Sequence, residues 1–232
     1  MFGRWLLVLL LCPSLAGATP RWKDSFLTRL ELLALIETFN AELLSHASAT
    51  ATLEKWCADH GLARDAKVTA MLDRGQEKPL AEEERQLLAV QPAEQLHYRH
   101  VRLVCGDKLL SEADNWYVPD RLTPDMNRLL EETDTPFGRV IRGLNFRRET
   151  LAARLLWSPL PEHWETRALP EADPEGKLEA PGPILEHRAL LRKADGTPLA
   201  LVAETYTSGV LDFPLPEQPV TRQWPGTGRA AP

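Results

Sequence analysis

An α+β fold with antiparallel strands is predicted by three stretches of this chain. Tyr98–Cys105 alternates apolar and polar residues, turns at Gly106-Asp107-Lys108 and returns as Leu109–Val118. Ile184–Arg192 and Pro198–Tyr206 repeat that plan around Ala194-Asp195-Gly196-Thr197. Ahead of both hairpins, Asp24–Leu44 sets Phe26, Leu27, Leu30, Leu32, Leu33, Leu35, Ile36 and Phe39 close to a helical period with a broad apolar face.

The chain has 232 residues, of which 44% are hydrophobic, enough to bury the core of one globular domain. A net charge of −6 with scattered arginines argues against a surface for nucleic acid, which would need clustered cations to neutralise phosphates. Arg4, the apolar run Trp5–Leu11 and the small residues Ala16-Gly17-Ala18 read as a cleavable secretory signal over residues 1–18, too short to span a bilayer. Leu11 stands where a lipoprotein would carry a small residue before Cys12. The mature protein is therefore expected to be periplasmic or secreted, monomeric and without a membrane segment, with one domain at 19–213. A Pro/Gly-rich tail at 214–232 is expected to be disordered.

Cleavage removes Cys12 and leaves Cys57 and Cys105, either a disulfide in an oxidising compartment or two buried thiols acting as small hydrophobes, the thiols being preferred. Neither the cysteines nor the six histidines show metal-ligand spacing, so no metal or other cofactor is expected.

The remaining elements follow in order. Ser48 or Thr50 can cap a second helix through Leu53, Glu54, Trp56 and Cys57, ended by His60-Gly61. Ala66–Leu72 reads as a strand, Asp73-Arg74-Gly75 as a turn, and Glu82–Arg85 as a solvated helix face without function. In the Tyr98 strand, parity puts Arg99 on the apolar side with Val101, Leu103 and Cys105. A guanidinium there needs an anionic ligand, a structural carboxylate, or a route to solvent. Thr123-Pro124 opens a short amphipathic helix with Met126, Leu129 and Leu130.

Thr135-Pro136-Phe137-Gly138-Arg139 follows as a tight turn, either a plain connection or a place where amides converge on an anion or carbonyl. Val140–Phe146 is expected to be a strand, Arg147–Trp157 an amphipathic stretch, and Ser158–Pro183 an exposed loop. Glu204 sits in the apolar run Leu199–Tyr206. Such a carboxylate suits a proton donor or a group that bonds a hydroxyl; the plainer reading is a strand-end residue at the solvent boundary.

From Leu43 to Tyr206 the order of Ser48-Ala49-Thr50, Tyr98–Leu103, Val118-Pro119, Thr135-Pro136-Phe137-Gly138-Arg139 and the Glu204 hairpin resembles chorismate lyase. That resemblance implies an antiparallel sheet with flanking helices closing over a buried product. It also implies conversion of chorismate to 4-hydroxybenzoate and pyruvate without a cofactor. It places the carboxylate-binding arginine on Arg99, a ligand-facing backbone amide on Phe137 beside Gly138, and the hydroxyl-binding carboxylate on Glu204. Arg99 and Glu204 would be the catalytic pair. Ala49 falls where the family has a methionine in a helical flap, which would leave the pocket less tightly closed. Export sets the protein apart from cytoplasmic chorismate. The alternative is an exported protein that binds a small aromatic or carboxylate ligand without catalysis. In a third reading Arg99 and Glu204 merely pair with each other.

Overall fold

The computed structural model describes residues 22–167 and 176–213. The expected signal peptide, Cys12, the tail and the middle of the Ser158–Pro183 loop lie outside the described residues. Helices α1 (Phe26–Ser45) and α2 (Ala49–Asp59) come first, then strand β1 (Val68–Asp73) and helix α3 (Glu82–Leu87). The hairpin β2 (His97–Cys105) and β3 (Lys108–Tyr117) leads to helices α4 (Pro124–Glu132) and α5 (Phe137–Val140). Strand β4 (Arg147–Leu155) and the hairpin β5 (Pro183–Arg192) and β6 (Pro198–Thr207) complete the chain.

All six strands form one antiparallel sheet in the order β1-β2-β3-β6-β5-β4, so the two hairpins of the sequence meet at β3 and β6 in its centre. Side chains alternate across the sheet, and the register fixes which ones share the inner face. These are Arg99, Val101 and Leu103 on β2, Ala113 and Asn115 on β3, Val202, Glu204 and Tyr206 on β6, His187, Ala189 and Leu191 on β5, and Arg148 on β4. The outer face is covered at one end by Leu88 and its neighbours, which pack on Trp116, Val118, Leu190 and Leu201.

Two apolar clusters build the inner layer. Leu32, Ile36, Phe39 and Leu43 recur at helical spacing on α1 and pack with Leu53 and Trp56 of α2 against Leu185 and Tyr206. Ser25 and Ser48 cap these helices, each side chain accepting from the amide three residues on. The second cluster joins Leu130 of α4, Phe137 and Val140 of α5 and Ile141 to Tyr117, Ala189, Leu191 and Val202. The candidate site lies where the two clusters meet.

Two expectations are corrected here. Val140–Phe146 is not a strand. Pro136 is the N-cap of α5, its carbonyl accepts from the amides of Arg139 and Val140, and a 3-10 turn follows at Ile141–Leu144. Val140 and Ile141 are both buried, Val140 in the last turn of α5 and Ile141 at the start of the 3-10 turn. Asn145, at φ 49°, ends the turn in the left-handed region and sends the chain into β4, so the expected amphipathic stretch is itself a strand.

The two cysteines are not free thiols. Cys57 of α2 and Cys105 at the end of β2 form a disulfide with Cα atoms 6.7 Å apart, across a sequence separation of 48. Both are fully buried where α2 packs on the sheet, so folding brings together two residues that the sequence holds far apart.

Candidate ligand site

Glu204 is flanked on the inner face by Ala113 on β3 and His187 on β5, with the small Ala189 one step along. That leaves room above the sheet for Arg148 to reach it from β4. The Arg148 and Glu204 side chains are 4% and 9% exposed, and Arg148 Nη2 donates to Glu204 Oε2 at 2.5 Å. The Tyr206 hydroxyl donates to the same oxygen at 3.0 Å. Among the described residues none donates to Glu204 Oε1, and Arg148 Nε is buried without an acceptor.

Burial alone would pull the Arg148 guanidinium down, but Glu204 and Tyr206 outweigh it and hold it above its ordinary value. Tyr206 is pushed well up, first by burial and then by the Glu204 charge. His187 is fully buried, its ring edge-on to Tyr206. Its Nε2 donates to Asn40 Oδ1 of α1 at 2.8 Å, because an amide oxygen only accepts; Nδ1 is left buried without a partner. Burial, reinforced by Arg148 and partly offset by Glu204, brings His187 down to about 4, so the ring is neutral at pH 7.

The pair forms the floor of a small cavity of about 30 Å³. Val101, Leu103, Asn115, Leu191 and Val202 extend that floor, and Ala47–Thr50 with Phe137 and Gly138 make the roof. The volume suits one water-sized group. The roof is tight because Gly138 lies against α2: a Cβ there would come within 3.0 Å of Thr50 Oγ1 and 3.2 Å of Ser48 Oγ. A guanidinium from Arg139 pairs with Glu54 and also donates to the Val68 carbonyl at 3.0 Å, tying α5 to α2 and β1. Gly138 lets α5 seat directly on the first turn of α2, where Ala49 lines the cavity.

Of the residues expected at the site, the fold gathers Ala49, Phe137, Gly138 and Glu204 around one cavity. Arg99 does not line it. Although 6% exposed and on the same face, Arg99 donates from Nε to the Leu130 carbonyl (3.1 Å) and from Nη2 to the Thr135 carbonyl (3.0 Å), with Nη1 buried and unpartnered. It borders instead a separate cavity of about 250 Å³ at the end of β2, with Arg74, His97, Tyr117 and Glu131. Burial lowers it to about 10, opposed by Tyr117 and aided by repulsion from Arg74. The reading in which Arg99 and Glu204 pair with each other is also corrected: Glu204 takes Arg148. Sequence reasoning missed Arg148. Its signal was parity on β4, legible only once that segment is recognised as a strand.

A relative settles the family. Over 197 residues the chain is 53% identical to the uncharacterized protein y4mC of Sinorhizobium fredii (strain NBRC 101917 / NGR234), covering 84% of this chain and 83% of y4mC. The chain belongs to the y4mC family. No family model matches it.

Among solved structures, this y4mC-family chain is similar to PhnF from Mycobacterium smegmatis, with a TM-score of 0.45 and 14% identity over 70% of this chain and 64% of PhnF. The effector domain of PhnF gives 0.44 and 15% identity, covering 69% of this chain and 88% of that domain. The effector-binding domain of the Bacillus subtilis trehalose repressor gives 0.35 and 11%, covering 65% and 96%. Likenesses this slight say nothing about function.

Among the described residues no helix is long and apolar enough to cross a membrane, and no cluster of potential metal ligands occurs.

Proposed function

We propose that this is an exported domain that binds a small aromatic acid over the inner face of its sheet, with Glu204 holding a hydroxyl of the ligand. The observation that carries the reading is the buried Arg148–Glu204–Tyr206 cluster beneath a small, partly open cavity. Polar groups withdrawn from water at such cost are retained where a ligand uses them. Because the cavity has room for only one water-sized group, the hydroxyl of the ligand enters it while the ring lies at its partly open mouth, beside the first turn of α2. Arg99 belongs to the proposal as the partner of the carboxylate end, supported by its unpartnered Nη1 and its place two residues before Val101, which lines the cavity. Export is supported by the Cys57–Cys105 bridge, since disulfides persist in oxidising compartments.

The test is a thermal-shift and calorimetric titration of the mature protein with 4-hydroxybenzoate and related acids. Saturable stabilisation that Glu204→Ala removes is expected; indifference to every acid sinks the reading.

Elimination of pyruvate from chorismate is the second reading, favoured by the enclosed carboxylate of Glu204. Such an elimination needs orientation and help for migrating charge rather than an activated nucleophile. Incubation with chorismate should then release 4-hydroxybenzoate faster than chorismate decays unaided, and parity with that background excludes catalysis.

A further inference from the structure

Arg148 comes from the edge strand β4, and Glu204 from the central strand β6. Their contact uses one nitrogen of the guanidinium and one oxygen of the carboxylate. Tyr206 adds its only proton to that same oxygen, and neutral His187 directs its N–H to Asn40. Among the described residues, what is left over is one buried donor without an acceptor, Arg148 Nε, and two acceptors without a protein donor, Glu204 Oε1 and His187 Nδ1. Of these residues Arg148 and Glu204 line the cavity, whose other lining side chains carry no charge, and His187 does not. A buried N–H on a guanidinium is costly to leave unmade, more so than on a neutral group.

We infer that Arg148 is a ligand-reading residue: its Nε donates to the ligand atom that in turn donates to Glu204, so the site selects a hydroxyl over an amine. This rests on the small-ligand reading above and adds a residue and a selection rule to it. A hydroxyl can donate and accept at once, and its size matches the 30 Å³ of the cavity. An aromatic amine can also donate, more weakly than a phenol, but its lone pair is delocalised into the ring and accepts poorly. An amine would therefore satisfy Glu204 and leave Arg148 Nε stranded. Sites built to bond a particular polar group discriminate strongly against analogues that leave a buried partner unpaired. Arg148 Nη2 meanwhile keeps Glu204 in place, so both functions come from one planar fork.

The experiment compares 4-hydroxybenzoate with 4-aminobenzoate, identical at the carboxylate end, by isothermal titration. The wild-type protein should prefer the hydroxyl compound at least 10-fold. In Arg148→Met, which removes the donor, the preference should fall below about 3-fold even if both affinities drop, and Arg148→Lys should restore part of it. A merely structural arginine would lower both affinities and leave their ratio unchanged, which overturns the inference. Near-equal binding of the two acids by the wild-type protein also overturns it, with no variant needed, while leaving the small-ligand reading intact. If the wild-type protein binds neither acid, that reading fails and this one with it.

Discussion

Two arginines project from the inner face of one sheet, Arg99 from β2 and Arg148 from β4, and their surroundings differ in kind. Arg99 is bonded to two backbone carbonyls, Leu130 at the end of α4 and Thr135 ahead of α5, so it anchors the connection that carries Phe137 and Gly138. Among the described residues no carboxylate is bonded to it, and burial lowers its guanidinium. Arg148 is bonded to a carboxylate inside a cavity, and its guanidinium is raised. Position on the sheet face does not reveal what a buried arginine is bonded to: two backbone carbonyls for Arg99, a carboxylate for Arg148.

The comparison can be broken experimentally, most severely at Arg148. Arg148→Ala should destabilise the domain by about 3–5 kcal/mol in urea unfolding, because it strands a buried carboxylate. Replacing both partners, as Arg148→Met with Glu204→Leu, should recover most of that loss while abolishing ligand binding. Recovery in the double variant separates the cost of an orphaned charge from the worth of the pair.

His187 tests the same end through pH. Its folded value of about 4 lies below the ordinary histidine value near 6.5, so between those limits the unfolded chain binds the extra proton. Stability is thus fully present above about pH 6.5 and falls as pH drops toward 4, by at most about 3 kcal/mol. Unfolding titrations at pH 7 and pH 4.5 should show this slope, and His187→Gln should flatten it.

Arg99→Met should cost less, about 2 kcal/mol, from two carbonyls losing their donors while an unpaired charge leaves the interior. It should also weaken acids relative to their neutral amides, if Arg99 meets the carboxylate end. Gly138→Ala is the mildest change, about 1 kcal/mol by denaturant midpoint, since the Thr50 and Ser48 hydroxyls have to give way. Its larger effect should be on ligand association, because it wedges the roof.

Much of this architecture can be read from the residues. Periodicity placed α1 and α2, and the turns at Gly106 and Gly196 placed both hairpins, because those signals are local. Four of the five expected site residues meet at one cavity for the same reason, each being fixed to a well-marked element. What escaped depends on contacts between distant segments. Arg148 sits beside Arg147 at the start of an edge strand whose side chains are mostly exposed, so its neighbours offer no apolar alternation to mark an inner face. The Cys57–Cys105 bridge joins a helix to a strand end with no spacing rule to reveal it. At Val140–Ile141, two apolar residues in a row fit a strand or a buried turn equally well, and Pro136 upstream decided for the turn.

The disulfide also has a mechanical meaning. Helix α2 is fastened beyond its first turn three times over: Cys57 to β2, Trp56 Nε1 to the Val210 carbonyl at 2.8 Å, and Glu54 to Arg139. Its near end, at Ser48 and Ala49, meets the cavity and follows the short link from α1. Its first turn is held in addition by α5, whose Gly138 packs against Thr50 and Ser48. The cystine therefore holds to the sheet the same helix whose first turn roofs the cavity, joining residues that the sequence keeps 48 positions apart.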